Sequence, residues 1–459
     1  MKTPLRRRLA SSKRDVDMTE GNILRHLINF ALPLVAGLFL QQLYNMVDTW
    51  VVGNYVDGEA FSAVGTVGPI FNLLIGFFMG LSAGMGVVIS QYYGAKDYER
   101  VSKTVHTALL FTIILGVIFT VVGIIMVPTM LGFMNTPEDV LDEATEYLTI
   151  IFAGIIGAMF YNMGSGILRS VGDSRRPFWF LAVSALTNTV LDLVFVIVFK
   201  MGVSGVAFAT VIAEIVSSIL ILITLLKSDN CIKFIPKKLG IDWSILGKIL
   251  KVGLPTAIQM AVTSFSNIFV QSYINFFGKG AMGGWTAYAK IDQLVMLPTQ
   301  AISVASTTFV GQNLGKGDAK RARRGVTMSL TMSVAAALVM MAPIIIFAPE
   351  LVRFFNKEPD IVYYGAIFLR WLTPFYVLCC ANQIYSGALR GAGNSTVPTI
   401  ISLSSFVGFR QIYLFVMANY ISNTMVPIAL SYPAGWVLCS AAMFIYYKFA
   451  KLEKTRLVK

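Results

Sequence analysis

Apolar residues gather in runs of about 20 along the whole chain, the length a helix needs to cross hydrocarbon about 30 Å thick. Polar and charged residues fall between the runs. Twelve runs are present, roughly at 28–52, 60–90, 104–126, 146–168, 177–199, 203–226, 250–276, 285–311, 326–348, 363–388, 397–417 and 425–450. A backbone in lipid must satisfy its own hydrogen bonds, which leaves helices or closed barrels. Barrel strands are about 10 residues long and alternate in polarity. These runs are longer and do not alternate, so the pattern predicts an all-α polytopic membrane protein with twelve transmembrane helices.

Composition agrees. Only 13% of the 459 residues are charged and 56% are hydrophobic, against about a quarter charged in soluble domains. The net charge of +13 would suggest nucleic acid in a soluble chain, but its placement points elsewhere. If both termini lie inside, the inner segments carry 30 of the 37 Lys and Arg. Examples are Arg6, Arg7, Arg8, Lys13 and Arg14 in the first tail, Lys233, Lys237 and Lys238 after the sixth run, and Lys320, Arg321, Arg323 and Arg324 after the eighth. The outer segments carry Lys200, Lys279, Arg353 and Lys357. This bias sets both termini in the cytoplasm of a plasma-membrane protein. It makes anionic membrane lipid, not nucleic acid, the expected contact. Cys231, Cys379, Cys380 and Cys439 show no zinc or redox spacing. Residues 1–17 lack an apolar core, so they read as a basic cytoplasmic tail, not a signal peptide.

The chain repeats itself. Ser165-Gly166-Ile167-Leu168-Arg169-Ser170-Val171-Gly172-Asp173-Ser174-Arg175-Arg176-Pro177 matches Ser386–Pro398 at seven of thirteen positions, 221 residues apart. Gln91–Asp97 and Gln312–Asp318 share that offset, and Leu32-Pro33 pairs with Leu254-Pro255 one residue further apart. Six helices per repeat is an even number, so the repeats enter the membrane from the same side and are parallel. The expected organisation is a tail over 1–21, an N-lobe over 22–226, a cytoplasmic linker over 227–249, a C-lobe over 250–450 and a tail over 451–459. Gly94 and Gly315 are expected to supply positive φ in short turns. Arg169 and Arg390 suit helix C-termini. Pro33 and Pro255 each remove one backbone bond from the first helix of a lobe, giving a fixed bend or a hinge.

The twelve helices, the duplication, Met18-Thr19-Glu20-Gly21-Asn22-Ile23, the stretch Gln41–Asp48 and both Ser-Gly-x-Leu-Arg-x-x-Gly segments resemble the MATE (multidrug and toxic compound extrusion) family, in particular its MepA-like bacterial branch. The resemblance covers about residues 18–450. It implies a monomer that exports small-molecule drugs, mainly organic cations, in exchange for H⁺ or Na⁺, by alternating access of two lobes around a cavity. It implies no other cofactor and no enzymatic activity. His26 and His106 have no nucleophile or metal spacing beside them.

Four acids fall within the runs: Asp48, Asp192, Glu214 and Asp292. An acid at the bilayer centre costs about 2.5–3.5 kcal/mol, so it usually lines a cavity, binds an ion or is paired. Gln41, Tyr44, Asn45 and Asp48 recur at helical spacing and share one face. Asn188 and Asp192 share a face of the fifth helix, and Thr210 lies on the sixth. Buried carboxyls with hydrogen-bonding neighbours can load a proton, and the same oxygens can hold Na⁺. DinF-like members are similar, with a first-helix Tyr-x-x-x-Asp, a fifth-helix Asn-x-x-x-Asp and a sixth-helix Thr. By that resemblance Tyr44, Asp48, Asn188, Asp192 and Thr210 form a proton or cation site, with Na⁺ held at Asp48, Asn188, Asp192 and Thr210. Glu214 is expected to be structural.

The duplication supplies an internal control. Asp48, Asn188 and Asp192 map onto Val270, Phe409 and Tyr413, so only the N-lobe keeps the acids. NorM-like members instead carry acids where this chain has Thr263 and Cys379. Gln41, Asn45, Gln259, Asn267 and Asp292 are the candidate substrate-cavity residues, and Pro33 the candidate hinge. Asp292 either faces drug or pairs with Lys290 or Arg410. The rival reading is a lipid-linked oligosaccharide flippase of the same superfamily. It would call for more basic residues within the membrane than Lys290, Arg370 and Arg410.

Overall fold

The computed structural model describes residues 16–56, 58–134 and 136–458. The basic cluster Arg6–Arg14 lies outside them. Among the described residues, twelve helices are long and apolar enough to cross a membrane. They are α1 (Ile23–Tyr55), α2 (Gly58–Gly94), α3 (Tyr98–Phe133), α4 (Glu138–Ser170), α5 (Arg175–Val198), α6 (Gly202–Leu226), α7 (Trp243–Asn275), α8 (Lys279–Lys316), α9 (Ala319–Ile346), α10 (Pro359–Gly391), α11 (Thr396–Ile421) and α12 (Met425–Phe449). No strand occurs among the described residues. Apolar side chains such as Ile125, Leu186, Val339 and Ile412 are exposed along the helices. That surface suits hydrocarbon and would be costly in water.

The duplicated motifs shape the helix ends. Asp97 caps α3 by accepting from the Arg100 N–H at 3.1 Å, and Asp318 caps α9 by accepting from Arg321 at 2.8 Å. A short carboxylate at this position satisfies an N–H that the helix itself cannot. The expected positive φ at Gly94 and Gly315 is not found. The chain reverses two residues later, at Lys96 (φ 60°) and Gly317 (φ 91°). Gly94 and Gly315 still lie within α2 and α8, so the turn follows the helix end and not the first glycine. Arg169 and Arg390 do occupy last helical turns.

The chain divides into two compact units. One holds Leu32–Gly253; the other holds Met18–Ala31 and Leu254–Lys459. The divisions fall immediately before Leu32-Pro33 and Leu254-Pro255, inside α1 and α7. The units divide within these two helices for a local reason. The linker is tied to the first unit: His106 Nε2 accepts from the Ile235 N–H at 3.0 Å, Thr107 Oγ1 accepts from the Asp242 N–H at 3.1 Å, and Lys248 Nζ donates to Tyr92 Oη at 2.9 Å. The residues before α1 are tied to the second. The Met18 N–H donates to Gln312 Oε1 at 2.9 Å, Arg321 donates to the carbonyls of Met18, Glu20 and Gly21, and Lys316 pairs with Glu20 at 3.0 Å. Met18 is fully buried, so the end of the expected tail is packed. Each unit has its own core, around Leu148, Phe152 and Val206 in the first and around Trp285, Phe368 and Leu369 in the second.

Candidate functional site

In the first unit, α1, α2, α4, α5 and α6 enclose a cavity of about 170 Å³. Tyr44 and Asp48 reach it from α1, Asn188 from α5 and Thr210 from α6, with Gln41, Asn45 and Pro33 along the same wall. The helical spacing read from the sequence does place Gln41, Tyr44, Asn45 and Asp48 together. Ser184 Oγ donates to the Ala213 carbonyl at 2.8 Å, clamping α5 to α6 one turn from Asn188. Asp192 lies one turn beyond Asn188. It is fully buried, Asn188 is 3% exposed, and the side chains of both face Asp48. A π-helical segment, Leu193–Val198, starts immediately after Asp192; such segments are frequent at functional sites.

The polar atoms of this cluster lack partners. Asp48 Oδ1, both side-chain heteroatoms of Asn188, both carboxyl oxygens of Asp192 and Thr210 Oγ1 are buried without a hydrogen bond. No Lys or Arg forms an ion pair with Asp48, Asp192 or Glu214 among the described residues. Leaving one such group unsatisfied costs about 1–3 kcal/mol. Five oxygens of this cluster, from two carboxyl groups, one amide and one hydroxyl, are thus buried with neither a hydrogen bond nor an ion pair among the described residues.

Sequence reasoning missed part of this wall. Glu214, expected to be structural, lines the same cavity, as do Tyr147, Tyr161 and Asn162 of α4. Two signals were present. Glu214 lies four residues after Thr210, on the same helical face. Tyr161-Asn162 aligns with Asn382-Gln383 at the offset of 221, a polar pair within an apolar run in both repeats.

The second unit has a matching cavity of about 620 Å³. Asn45 and Asn267, Tyr161 and Asn382, Asn162 and Gln383, and Arg169 and Arg390 line the two cavities in equivalent places. Gln259, Asn267 and Asp292 are gathered here, apart from the Asp48 cluster, and Thr263 and Cys379 stand beside them. Asp292 forms an ion pair with neither Lys290 nor Arg410 among the described residues. It accepts instead from Tyr288 Oη at 3.3 Å. Lys290 is exposed, with its ammonium 5.8 Å from the centre of the Phe355 ring.

Comparison with known proteins finds the same duplication. The family model described as MatE matches twice, over residues 33–194 and 255–416. The probable multidrug resistance protein YoeA of Bacillus subtilis is 29% identical over 96% of this chain and 97% of its own length. The multidrug export protein MepA of Staphylococcus haemolyticus is 21% identical over 93% of this chain and 94% of its own. A solved structure described as an outward-facing multidrug resistance MATE family transporter of the MOP superfamily superposes with a TM-score of 0.90 at 24% identity, covering 96% of this chain and 98% of that one.

Proposed function

Because the chain belongs to the MatE family, we propose that it is a multidrug efflux antiporter that exchanges organic compounds for H⁺ or Na⁺ at the Asp48–Asp192 cluster. It is a multi-pass membrane protein and not an enzyme. Relatives named as multidrug resistance and export proteins support small organic molecules as its substrates. The observation that carries the coupling site is the set of partnerless buried atoms on Asp48, Asn188, Asp192 and Thr210.

Two facing carboxylates away from water repel each other, and one proton shared between them removes that repulsion. Na⁺, a hard cation, takes oxygen ligands. The same carboxylates together with Asn188 Oδ1 and Thr210 Oγ1 would hold it. Either ion changes the charge on the α1 face that also carries Gln41, Tyr44 and Asn45. Drug affinity in the cavity then falls while the ion is bound, which is the requirement for exchange. Pro33 sits on the same helix, where it removes one backbone bond. It lets α1 bend as the cluster loads and empties. The lobes alternate in access, and both termini remain cytoplasmic. The ion returns inward down its gradient, the membrane potential adding about 2.3 kcal/mol per charge per 100 mV.

The test uses purified protein in vesicles with a pH or a Na⁺ gradient imposed one at a time. Ethidium uptake should follow one gradient in the wild type and be lost in Asp48→Asn and Asp192→Asn. Wild-type exchange in both variants overturns the site assignment.

A further inference from the structure

Arg410 on α11 is the residue that the efflux reading leaves unused. It is 2% exposed and directly follows the π-helical segment Ser404–Phe409. One nitrogen, Nη2, donates to Ser266 Oγ at 2.8 Å and to Asn267 Oδ1 at 2.9 Å. The guanidinium carbon lies 4.8 Å from the centre of the Tyr432 ring. Nε is buried without a hydrogen bond among the described residues. Among the described residues no carboxylate pairs with this side chain.

A guanidinium has five N–H donors in a planar fork and keeps its charge. Here two neutral acceptors from α7 and one aromatic face orient it, and its charge is left uncompensated. Within a membrane-spanning segment that is a costly arrangement unless something fills the space in front. The space is the cavity of about 620 Å³, a size that suits a drug-like molecule. Asp292 lines the same cavity with its own partner, Tyr288. Arg410 and Asp292 thus stand in one cavity as a cation and an anion that do not neutralise each other, with Arg390, in the last turn of α10, as a second cation in its wall. Aromatic rings lie beside them: Trp285 and Tyr432 have centroids 5.1 Å apart, and Tyr432 and Trp436 6.0 Å apart.

These features are absent from the other repeat. At the offset of 221, Arg410, Tyr432 and Trp436 correspond to Thr189, Val211 and Ile215. The shared scaffold does not need them. We propose that the cavity of the second unit binds planar organic zwitterions and carboxylates, with the ligand carboxylate on Arg410 and its rings against Tyr432 and Trp436. Asp292 receives the cationic end. This deepens the efflux reading by naming a substrate class, and it rests on that reading. It is tested by binding alone, so a failure of ion coupling leaves it untouched and separately decidable.

The probes are rhodamine B, which carries a free carboxylate and a delocalised cation, and its ethyl ester, which keeps only the cation. Binding of each to purified full-length protein is measured by fluorescence anisotropy. Wild-type protein should bind rhodamine B at least about tenfold more tightly than the ester, the scale of one charge-assisted contact. Arg410→Gln should erase that preference with little change for the ester, and Arg410→Lys should restore part of it. Asp292→Asn should weaken both probes. Equal affinity of the wild type for acid and ester overturns the proposal without any variant. Equal losses for both probes in Arg410→Gln, with Arg410→Lys no better, overturn it as well.

Discussion

Gly84 of α2 meets Gly253 of α7 so closely that a Cβ on Gly84 would lie 2.5 Å from the Gly253 backbone nitrogen and 2.5 Å from the Ile249 carbonyl oxygen. Both obstacles are backbone and cannot swing aside. A Cβ on Gly253 would instead meet the Leu81 Cα at 3.1 Å, a clash that a small shift relieves. Gly84→Ala should therefore destabilise the protein by about 1–3 kcal/mol, the usual cost of overpacking, and Gly253→Ala by less. Thermal unfolding in detergent ranks the two. Equal melting temperatures would show that the contact is looser than described.

Thr210 separates the two coupling ions. A proton needs only a carboxyl group, whereas Na⁺ also needs neutral oxygens around it. Thr210→Val keeps the volume and removes an oxygen. In a Na⁺-coupled protein it should weaken Na⁺-driven uptake about tenfold or more, and in a proton-coupled one it should leave pH-driven uptake close to wild type. Glu214→Gln in the same vesicles reports whether the second acid in the cavity wall takes part.

His106 joins α3 to the linker. Its Nδ1–H donates to the Ser102 carbonyl at 2.7 Å, and its Nε2 accepts from the Ile235 N–H at 3.0 Å. The first partner is a carbonyl that can only accept, which assigns the ring proton to Nδ1. His106→Ala leaves the Ile235 N–H without its partner, at a cost of about 1–3 kcal/mol. The expected signature is faster limited proteolysis between residues 227 and 242, with the Asp48 cavity and its ion response intact.

The C-terminal segment is part of the fold. Leu452 and Val458 are buried. Gly393, at φ 96°, is packed so closely that a Cβ there would lie 2.8 Å from the Thr455 carbonyl oxygen. Deleting residues 452–458 should lower the melting temperature, since each buried aliphatic side chain contributes about 1.5–3 kcal/mol. An unchanged transition would show the segment to be loosely held.

Asp48 and Arg410 show how much of the site was legible beforehand. The face shared by Tyr44 and Asp48, and the one shared by Asn188 and Asp192, follow from helical spacing alone, because residues four apart on a helix must be neighbours. The loss of acids in the second repeat was legible too, since it needs only an alignment of the chain with itself. The partners of Asp292 and Arg410 were not. Lys290 and Asp292 are two residues apart and so point to different sides of α8. Whether Arg410 meets Asp292 or Ser266 and Asn267 depends on how α11 packs on α7.

The sequence by itself determined the twelve helices, the parallel duplication and the helix faces that carry charge, because a backbone in hydrocarbon can satisfy its bonds in few ways. The tertiary structure alone decided which faces meet. It placed Asp192 and Asn188 opposite Asp48 and brought Glu214, Tyr147 and Tyr161 into the same wall. It held Asp292 and Arg410 apart by separate neutral partners. It also divides the compact units within α1 and α7. These contacts join residues tens to hundreds of positions apart. They are set by side-chain packing between helices, which no local periodicity encodes.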